Sequence, residues 1–348
     1  MTTDIDKTAL NEEVKLARSV ITVTKKDGRA RSQKTLDSYN SEWRRLLDAT
    51  GKGHETDLVT PKRIRKILEI AKDTKAVKTY FRRRASILHG IRAQLFVELG
   101  AQDACQRKGD IAGRLEAIKK IRVTMECFNA AINTKAIEER VRVKTKKRSI
   151  AGLPDDWQLA VADTVPKAWR LRTLVAAVTG ARPQEIEWGV PVVIDGDVMT
   201  LTVKGAKVTT VSGQEVRKIA YRVPSGDAVI DTLYQAAQDA GGSLMVDLGG
   251  MKPVSMTTAI RRAAEKLWPD RPITITSYSL RHQKAADMKA SDMSRDDVSA
   301  ALGHCASQTK TRYGHPNQSR GIVAPTVKAT RAIKQNRSQG RKAPWAEG

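Results

Sequence analysis

Four short stretches of the chain carry side chains suited to chemistry on a charged oxygen. Thr179-Gly180-Ala181-Arg182-Pro183-Gln184-Glu185 places an arginine at a turn just past a helix-ending glycine, with a carboxylate three residues on that can orient it. Val203-Lys204-Gly205-Ala206-Lys207 puts a lysine on a turn between two strand-like runs. Tyr278-Ser279-Leu280-Arg281-His282 enters a helix, and Leu302-Gly303-His304 is followed nine residues later by Tyr313. An arginine guanidinium presents a planar fork of donors to the non-bridging oxygens of a phosphate, which the point charge of lysine does not imitate. A phenol with an ordinary pKa of about 10 is protonated at neutral pH, so a tyrosine that attacks needs its proton removed and positive charge nearby. Arg182 and Arg281 fit the first requirement, and Tyr313 is a phenol that would need the second.

The rest of the chain must hold these pieces together. Its 348 residues favour two domains over one. Apolar residues make up 40% of it but only three are Phe, so the cores must be mainly aliphatic. Lys and Arg outnumber Asp and Glu by 62 to 38, a formal charge of +24 that favours association with a polyanion. No apolar run of about 18 residues is present to form a membrane span, and the charged first residues lack the apolar core of a signal peptide. Cys105, Cys127 and Cys305 are too few and too scattered for a disulfide frame or a zinc site, which fits a reducing cytoplasm. There is no HExxH, no cluster of carboxylates at ligand spacing and no GxxxxGK[ST] loop, so neither a metal nor a nucleotide cofactor is expected.

Residues 1 to about 30 are polar and are expected to be a flexible segment with room for one short helix. Over 31–141, helical spacing predicts four helices. Leu36, Tyr39, Trp43, Leu46 and Leu47 share one face after Ser32, and Thr60-Pro61 starts a helix bearing Ile64, Ile67 and Leu68. Two more run over 75–99 and 112–133. Lys62, Arg63, Arg65 and Lys66 crowd one of these helices, and Lys75, Lys78, Arg82, Arg83 and Arg84 the next. A basic stretch, Arg142 to Arg148 with Lys144, Lys146 and Lys147, precedes Gly152-Leu153-Pro154 and is read as a linker over 142–154. With the excess charge of the whole chain, Lys62, Arg65, Lys78, Arg82, Arg83, Lys144, Lys146, Lys147 and Arg148 are the candidate phosphate contacts. Beyond residue 155 short alternating strands near 191–195, 198–203 and 216–223 lie among helices, a mixed α+β domain with a small antiparallel sheet. Pro325-Thr326 reads as the start of a C-terminal helix, with a basic tail to residue 348.

Taken together, the arginine turn, the lysine turn, the helix-borne arginine and the His-to-Tyr step resemble the catalytic domain of the tyrosine recombinase or phage integrase family over about residues 155–320. The helical region before it is similar to that family's core-binding domain, a SAM-like bundle. The resemblance implies a site-specific recombinase that cuts and rejoins double-stranded DNA at a target site as a homo-tetramer on two DNA sites, with no cofactor and no membrane. It implies Tyr313 as nucleophile, giving a 3′-phosphotyrosyl intermediate, Arg182, Arg281 and His304 as phosphate ligands, Lys204 as general acid and Glu185 as the residue that orients the arginine. Tyr278 stands where the family usually has histidine, and keeps a donor while losing a group that titrates near neutrality. His282 is the alternative, although the neighbouring helical position points about 100° away. In the family a segment placed like 325–335 packs into a neighbouring protomer. The same motifs also suit a type IB topoisomerase, a telomere resolvase or a non-catalytic DNA-binding protein on this fold. Integration or excision of a mobile element is the biology the resemblance favours.

Overall fold

The computed structural model describes residues 7–21, 31–51, 59–74, 76–134, 146–210, 212–306, 313–321 and 323–334. The chain separates into two compact units, residues 1–143 and 144–348.

Among the described residues of the first unit there are five helices: α1 (Lys7–Ile21), α2 (Gln33–Asp48), α3 (Pro61–Lys72), α4 (Val77–Lys108) and α5 (Ile111–Asn133). Thr60 caps α3 by accepting from the Arg63 amide at 3.2 Å, and Asp110 caps α5 through the Gly113 amide at 2.8 Å. Gly109, with φ +68°, ends α4 in the left-handed conformation that only glycine adopts cheaply. The core is aliphatic, built from Leu46, Ile64, Ile67, Ile87, Ile91, Leu95, Ile118 and Ile121. Within the expected flexible N-terminal segment, residues 7–21 form the one short helix, and it is packed on this core rather than mobile. Val14, Ala17 and Val20 recur at helical spacing and are buried in this core, and Arg18 and Glu13 pair with Asp103 at 2.5 Å and Arg122 at 2.8 Å. Burial of that stripe, at about 25 cal/mol per Å² of apolar surface, is what holds a helix whose sequence is mostly polar.

The second unit opens with a 3-10 turn at Lys146–Ile150, so the stretch read as a linker belongs in part to this unit. Ile150 and Leu153 are core residues, and Ser149 Oγ lies 2.8 Å from Ser279 Oγ. Then follow α6 (Trp157–Thr164), α7 (Lys167–Thr179), α8 (Pro183–Glu187), β1 (Val190–Asp195), β2 (Val198–Lys204), β3 (Val216–Arg222), α9 (Ala228–Asp239), β4 (Ser243–Val246), α10 (Pro253–Leu267), α11 (Ser277–Ala290), α12 (Arg295–Ala301) and β5 (Thr326–Ala329). The sheet is antiparallel in the order β4-β1-β2-β3-β5. Along the three central strands Val192, Met199, Leu201, Val203, Ile219 and Tyr221 point to the core at every second position.

The C-terminal helix is also corrected. Residues 326–329 form an edge strand on β3, with Ile219 opposite Val327 and Arg217 opposite Ala329, and Thr330 Oγ1 accepts from the Glu215 amide at 3.1 Å. Val327 and Ala329, two positions apart, share one face of a strand, whereas on a helix they would stand about 200° apart. The unpaired edge of β3 and the β-branched Thr326 and Val327 decide for the strand, because a ladder satisfies backbone groups on both partners. Thus the segment expected to reach a neighbouring protomer is seated on its own sheet, and residues 335–348 lie outside the described residues.

Candidate active site

The arginine turn is built by a helix end. Gly180, at φ +65°, terminates α7, and a Cβ there would lie 3.5 Å from Leu302 and Lys284 side chains and 3.7 Å from Arg281. The turn therefore packs directly on α11. Arg182 occupies the N-cap position of α8, and Glu185 reaches back one turn to it: Arg182 Nη1 meets Glu185 Oε1 at 2.5 Å, and the Arg182 amide donates to Oε2 at 2.9 Å. Glu185 is fully buried, while the Arg182 side chain keeps 13% of its surface.

Arg281 enters from α11, a helix buried on nearly every side. Its Nη1 donates to the Gly180 carbonyl at 2.6 Å and its Nη2 to the Leu302 carbonyl. The same Nη2 lies 3.3 Å from His304 Nε2. A guanidinium can only donate, so that ring nitrogen accepts and the geometry puts the histidine proton on Nδ1. Tyr313 completes the group. The Arg281 guanidinium carbon stands 4.8 Å from the centre of its ring, and the His304 ring stacks on it at 5.4 Å and 25°.

The loop carrying Tyr313 is pinned to the helix carrying Arg281. Lys289 Nζ donates to the Tyr313 carbonyl at 3.1 Å and the Gly314 carbonyl at 2.6 Å, and Gln283 donates to the Gln318 carbonyl at 2.8 Å. Asp287 accepts from the Ser319 hydroxyl at 3.1 Å and the Arg320 amide at 2.9 Å. At position 314 the chains approach so closely that a Cβ would sit 2.3 Å from the His282 carbonyl oxygen, which explains a glycine directly after the tyrosine.

The charges act on each other strongly. Burial pushes the Tyr313 phenol up, but the nearby Arg281 and Arg182 outweigh it and hold the group below its ordinary value. Burial, reinforced by Arg281, Arg182 and Arg217, drives His304 down to about 2, so the ring is neutral at any physiological pH. Glu185 is pushed up by its burial and pulled down further by Arg217, Arg182 and Arg281, ending at about 2. Burial and the neighbouring Arg182 lower Arg281 to about 10.

Of the residues singled out in the sequence, Arg182, Glu185, Arg281, His304 and Tyr313 come together. Lys204 does not join their buried cluster; it ends β2, exposed, opposite Val216. Tyr278 is 37% exposed in the first turn of α11, whereas the buried His282 lies with its ring centre 5.4 Å from that of Tyr313. The wheel angle between positions 281 and 282 fails to separate them because α11 is covered on both of those sides, and Tyr313 lies across the pair. Among the candidate phosphate contacts, Lys62, Arg65, Lys78, Arg82 and Arg148 are exposed. Arg83 is instead partly buried, holding the carbonyls of Ile70 at 3.2 Å and Asp73 at 2.9 Å and facing Glu42 at 3.4 Å. Its donors serve the end of α3. Lys144 lies outside the described residues, as do the side chains of Lys146 and Lys147.

Sequence reasoning missed two buried polar residues. Arg217 on β3 is fully enclosed and donates through Nη2 to Glu185 Oε2 at 2.7 Å. Gln214 donates to the His304 carbonyl at 3.0 Å and the Arg331 carbonyl at 2.8 Å, and accepts from the Arg331 amide at 2.8 Å. Gly205 makes room for it, since a Cβ there would collide with the Gln214 carbonyl at 1.9 Å. Among the described residues no group of three or more His, Cys, Asp or Glu is placed to hold a metal, and no helix is long and apolar enough to cross a membrane.

No protein-family model matches the chain, and no curated protein sequence does. Solved structures do. A lambda integrase dimer bound to a COC′ core site is similar over 90% of this chain and 77% of that one, with a TM-score of 0.50 and 19% identity. A lambda integrase tetramer bound to a Holliday junction is similar to the same extent, again at a TM-score of 0.50 and 19% identity. The mostly helical architecture with its small antiparallel sheet is thus the fold of those integrase structures.

Proposed function

We propose that a chain with this fold and this cluster is a tyrosine site-specific recombinase, a DNA strand transferase that works through a 3′-phosphotyrosyl intermediate. The observation that carries the reading is the convergence of Arg182, Arg281 and His304 on one phenol, Tyr313, whose acidity the two arginines raise. Tyr313 Oη attacks the scissile phosphorus. The bond to the 5′-oxygen breaks, and that oxygen leaves as a hydroxyl once it has taken a proton. The guanidiniums of Arg182 and Arg281 stabilise the charge that gathers on the non-bridging oxygens, the largest contribution available to a site of this kind. Neutral His304 adds no charge; to donate to the phosphate it has to carry its proton on Nε2, the nitrogen that accepts from Arg281 in the DNA-free site. Lys204, on its exposed turn, supplies the proton to the leaving oxygen, and His282, against the phenol ring, is better placed than Tyr278 to receive the phenol proton. Rejoining reverses the step with the 5′-hydroxyl of a partner strand, and the phosphotyrosine bond retains the energy of the broken diester.

Lys62, Arg65, Lys78 and Arg82 on the first unit, with the basic stretch at 144–148, are proposed to contact phosphates of the duplex on either side of a target site. By analogy with the tetramer on a Holliday junction, strand exchange takes place between two duplexes in a homo-tetramer, in the service of integrating or excising a mobile element. The test uses a pool of randomised duplexes nicked so that the cleaved end diffuses away and rejoining stops. The native protein should form a denaturant-resistant covalent adduct, and Tyr313→Phe should form none while retaining the duplexes. An adduct from Tyr313→Phe, or none from the native protein on the pool and on supercoiled plasmid, overturns the reading. Exchange between two marked duplexes, rather than relaxation of one, separates a recombinase from a topoisomerase.

A further inference from the structure

Glu185 serves two arginines with one carboxylate. Oε1 accepts from Arg182 Nη1 at 2.5 Å, and Oε2 accepts from the Arg182 amide at 2.9 Å and from Arg217 Nη2 at 2.7 Å. An arginine and a carboxylate left to themselves close into a two-pronged pair that consumes both oxygens and most of the local charge. Here the second oxygen is taken. Arg217 has no exposed surface, so it cannot touch DNA itself. The surrounding chain is shaped to its guanidinium. Arg217 shares the inward face of β3 with Ile219 and Tyr221, and Gly303, at φ +69°, backs on to it so tightly that a Cβ there would lie 2.9 Å from Nη1. Its Nε and Nη1 find no hydrogen-bond partner among the described residues. Burying such a cation is costly, and a simple scaffold would use an aliphatic side chain at this inward position.

We propose that Arg217 is a positioning residue of the strand-transfer site: by occupying one oxygen of Glu185 and cancelling its charge, it leaves the Arg182 guanidinium tethered through the other oxygen alone, with the rest of that guanidinium free for the phosphate and Tyr313. The inference rests on the recombinase reading for what the site does, but its central measurement does not. Among the described residues the charged and titratable groups around the phenol are Arg182, Glu185, Arg217, Arg281, His282, His304 and Lys289. Removing Arg217 lowers the charge of that set by one and releases Glu185 to claim Arg182. Removing Glu185 as well restores the balance.

The test follows the Tyr313 ring by NMR of the full chain labelled in tyrosine, without DNA, the signal being assigned with Tyr313→Phe. Arg217→Met should move the phenol midpoint up by about one unit, a tenfold loss of phenolate at a given pH. Adduct formation on the nicked duplex pool should slow roughly tenfold with it, with retention of the duplexes unchanged. The double variant Glu185→Gln, Arg217→Met should return the midpoint towards the native value, a reversal that a purely structural role does not produce. Should Arg217→Met fail to fold, Glu185→Gln alone serves as the reference: its midpoint should fall below the native one, and adding Arg217→Met should raise it again. An unmoved midpoint in Arg217→Met, or a double variant no closer to native than the single one, overturns the proposal. A native protein that forms no adduct while the titrations behave as described would instead remove the recombinase reading and leave the role of Arg217 in place.

Discussion

Glu185→Gln should weaken the fold of the second unit by about 3 kcal/mol at neutral pH, and the deficit should disappear in acid. Burial works against the charged carboxylate, yet Arg217, Arg182 and Arg281 together hold it at about 2 against an ordinary 4.5. At about 1.4 kcal/mol per unit, that difference contributes about 3 kcal/mol. It agrees with the roughly 3–5 kcal/mol typical of breaking a buried ion pair from one side. The sign follows from the direction of the shift. A carboxyl depressed in the folded state binds a proton more readily when unfolded, so its contribution is fully present above pH 4.5 and is lost as the pH falls towards 2. Urea unfolding of native protein and Glu185→Gln at pH values from about 7 to about 3 measures this directly. Subtracting the two curves removes the acid sensitivity that buried neutral His304 imposes on both. The gap should be constant from about pH 7 to about 5 and narrow steadily below that. A gap that stays at its neutral value down to about pH 3, or one under about 1 kcal/mol at neutral pH, would refute the account of Glu185 as a charge held between buried arginines.

Two further outcomes test the chemistry and the DNA contacts. Lys204→Ala should slow cleavage by roughly 10²–10⁴-fold, the usual worth of a positioned acid, and should be rescued on DNA whose bridging 5′-oxygen is sulfur, a leaving group that needs no proton. Arg182→Ala should not be rescued, and rescue of Lys207→Ala in place of Lys204→Ala would move the role three residues along the turn. Duplex affinity should fall steeply with salt: about eight neutralised phosphates give a slope of log K against log salt near −7, and a slope shallower than about −3 contradicts an extensive basic interface.

The parts of this molecule legible in the sequence are those whose reasons are local. A proline after Thr60, a glycine closing α7 and a carboxylate three residues past Arg182 each act within one turn of chain, and the structure uses all three. The strands β1 to β3 show themselves by alternation. The residues that escape depend on partners far along the chain. A run of basic residues does not by itself distinguish a DNA-facing surface from a structural donor, and Arg83 is the example: its guanidinium spans to the end of α3. The strand at 326–329 escapes because its local signal is short, two β-branched residues, and the open edge of β3 that completes it lies more than a hundred residues earlier.

Arg217 is the instructive case, since a signal was present. On β3 it stands in phase with Ile219 and Tyr221, both inward and buried, while Lys218 and Arg222 face out. Alternation alone therefore marks one of three basic residues on this strand as a buried charge, and a buried charge requires a buried countercharge. Glu185, read from the sequence as the orienter of Arg182, is an acid already committed to the interior by its place in the turn. The two readings meet at 2.7 Å. What the sequence lacked was the topology that brings β3 behind α8, and with it the reason that the Leu302-Gly303-His304 motif needs its glycine: the space a side chain would fill belongs to the guanidinium of Arg217.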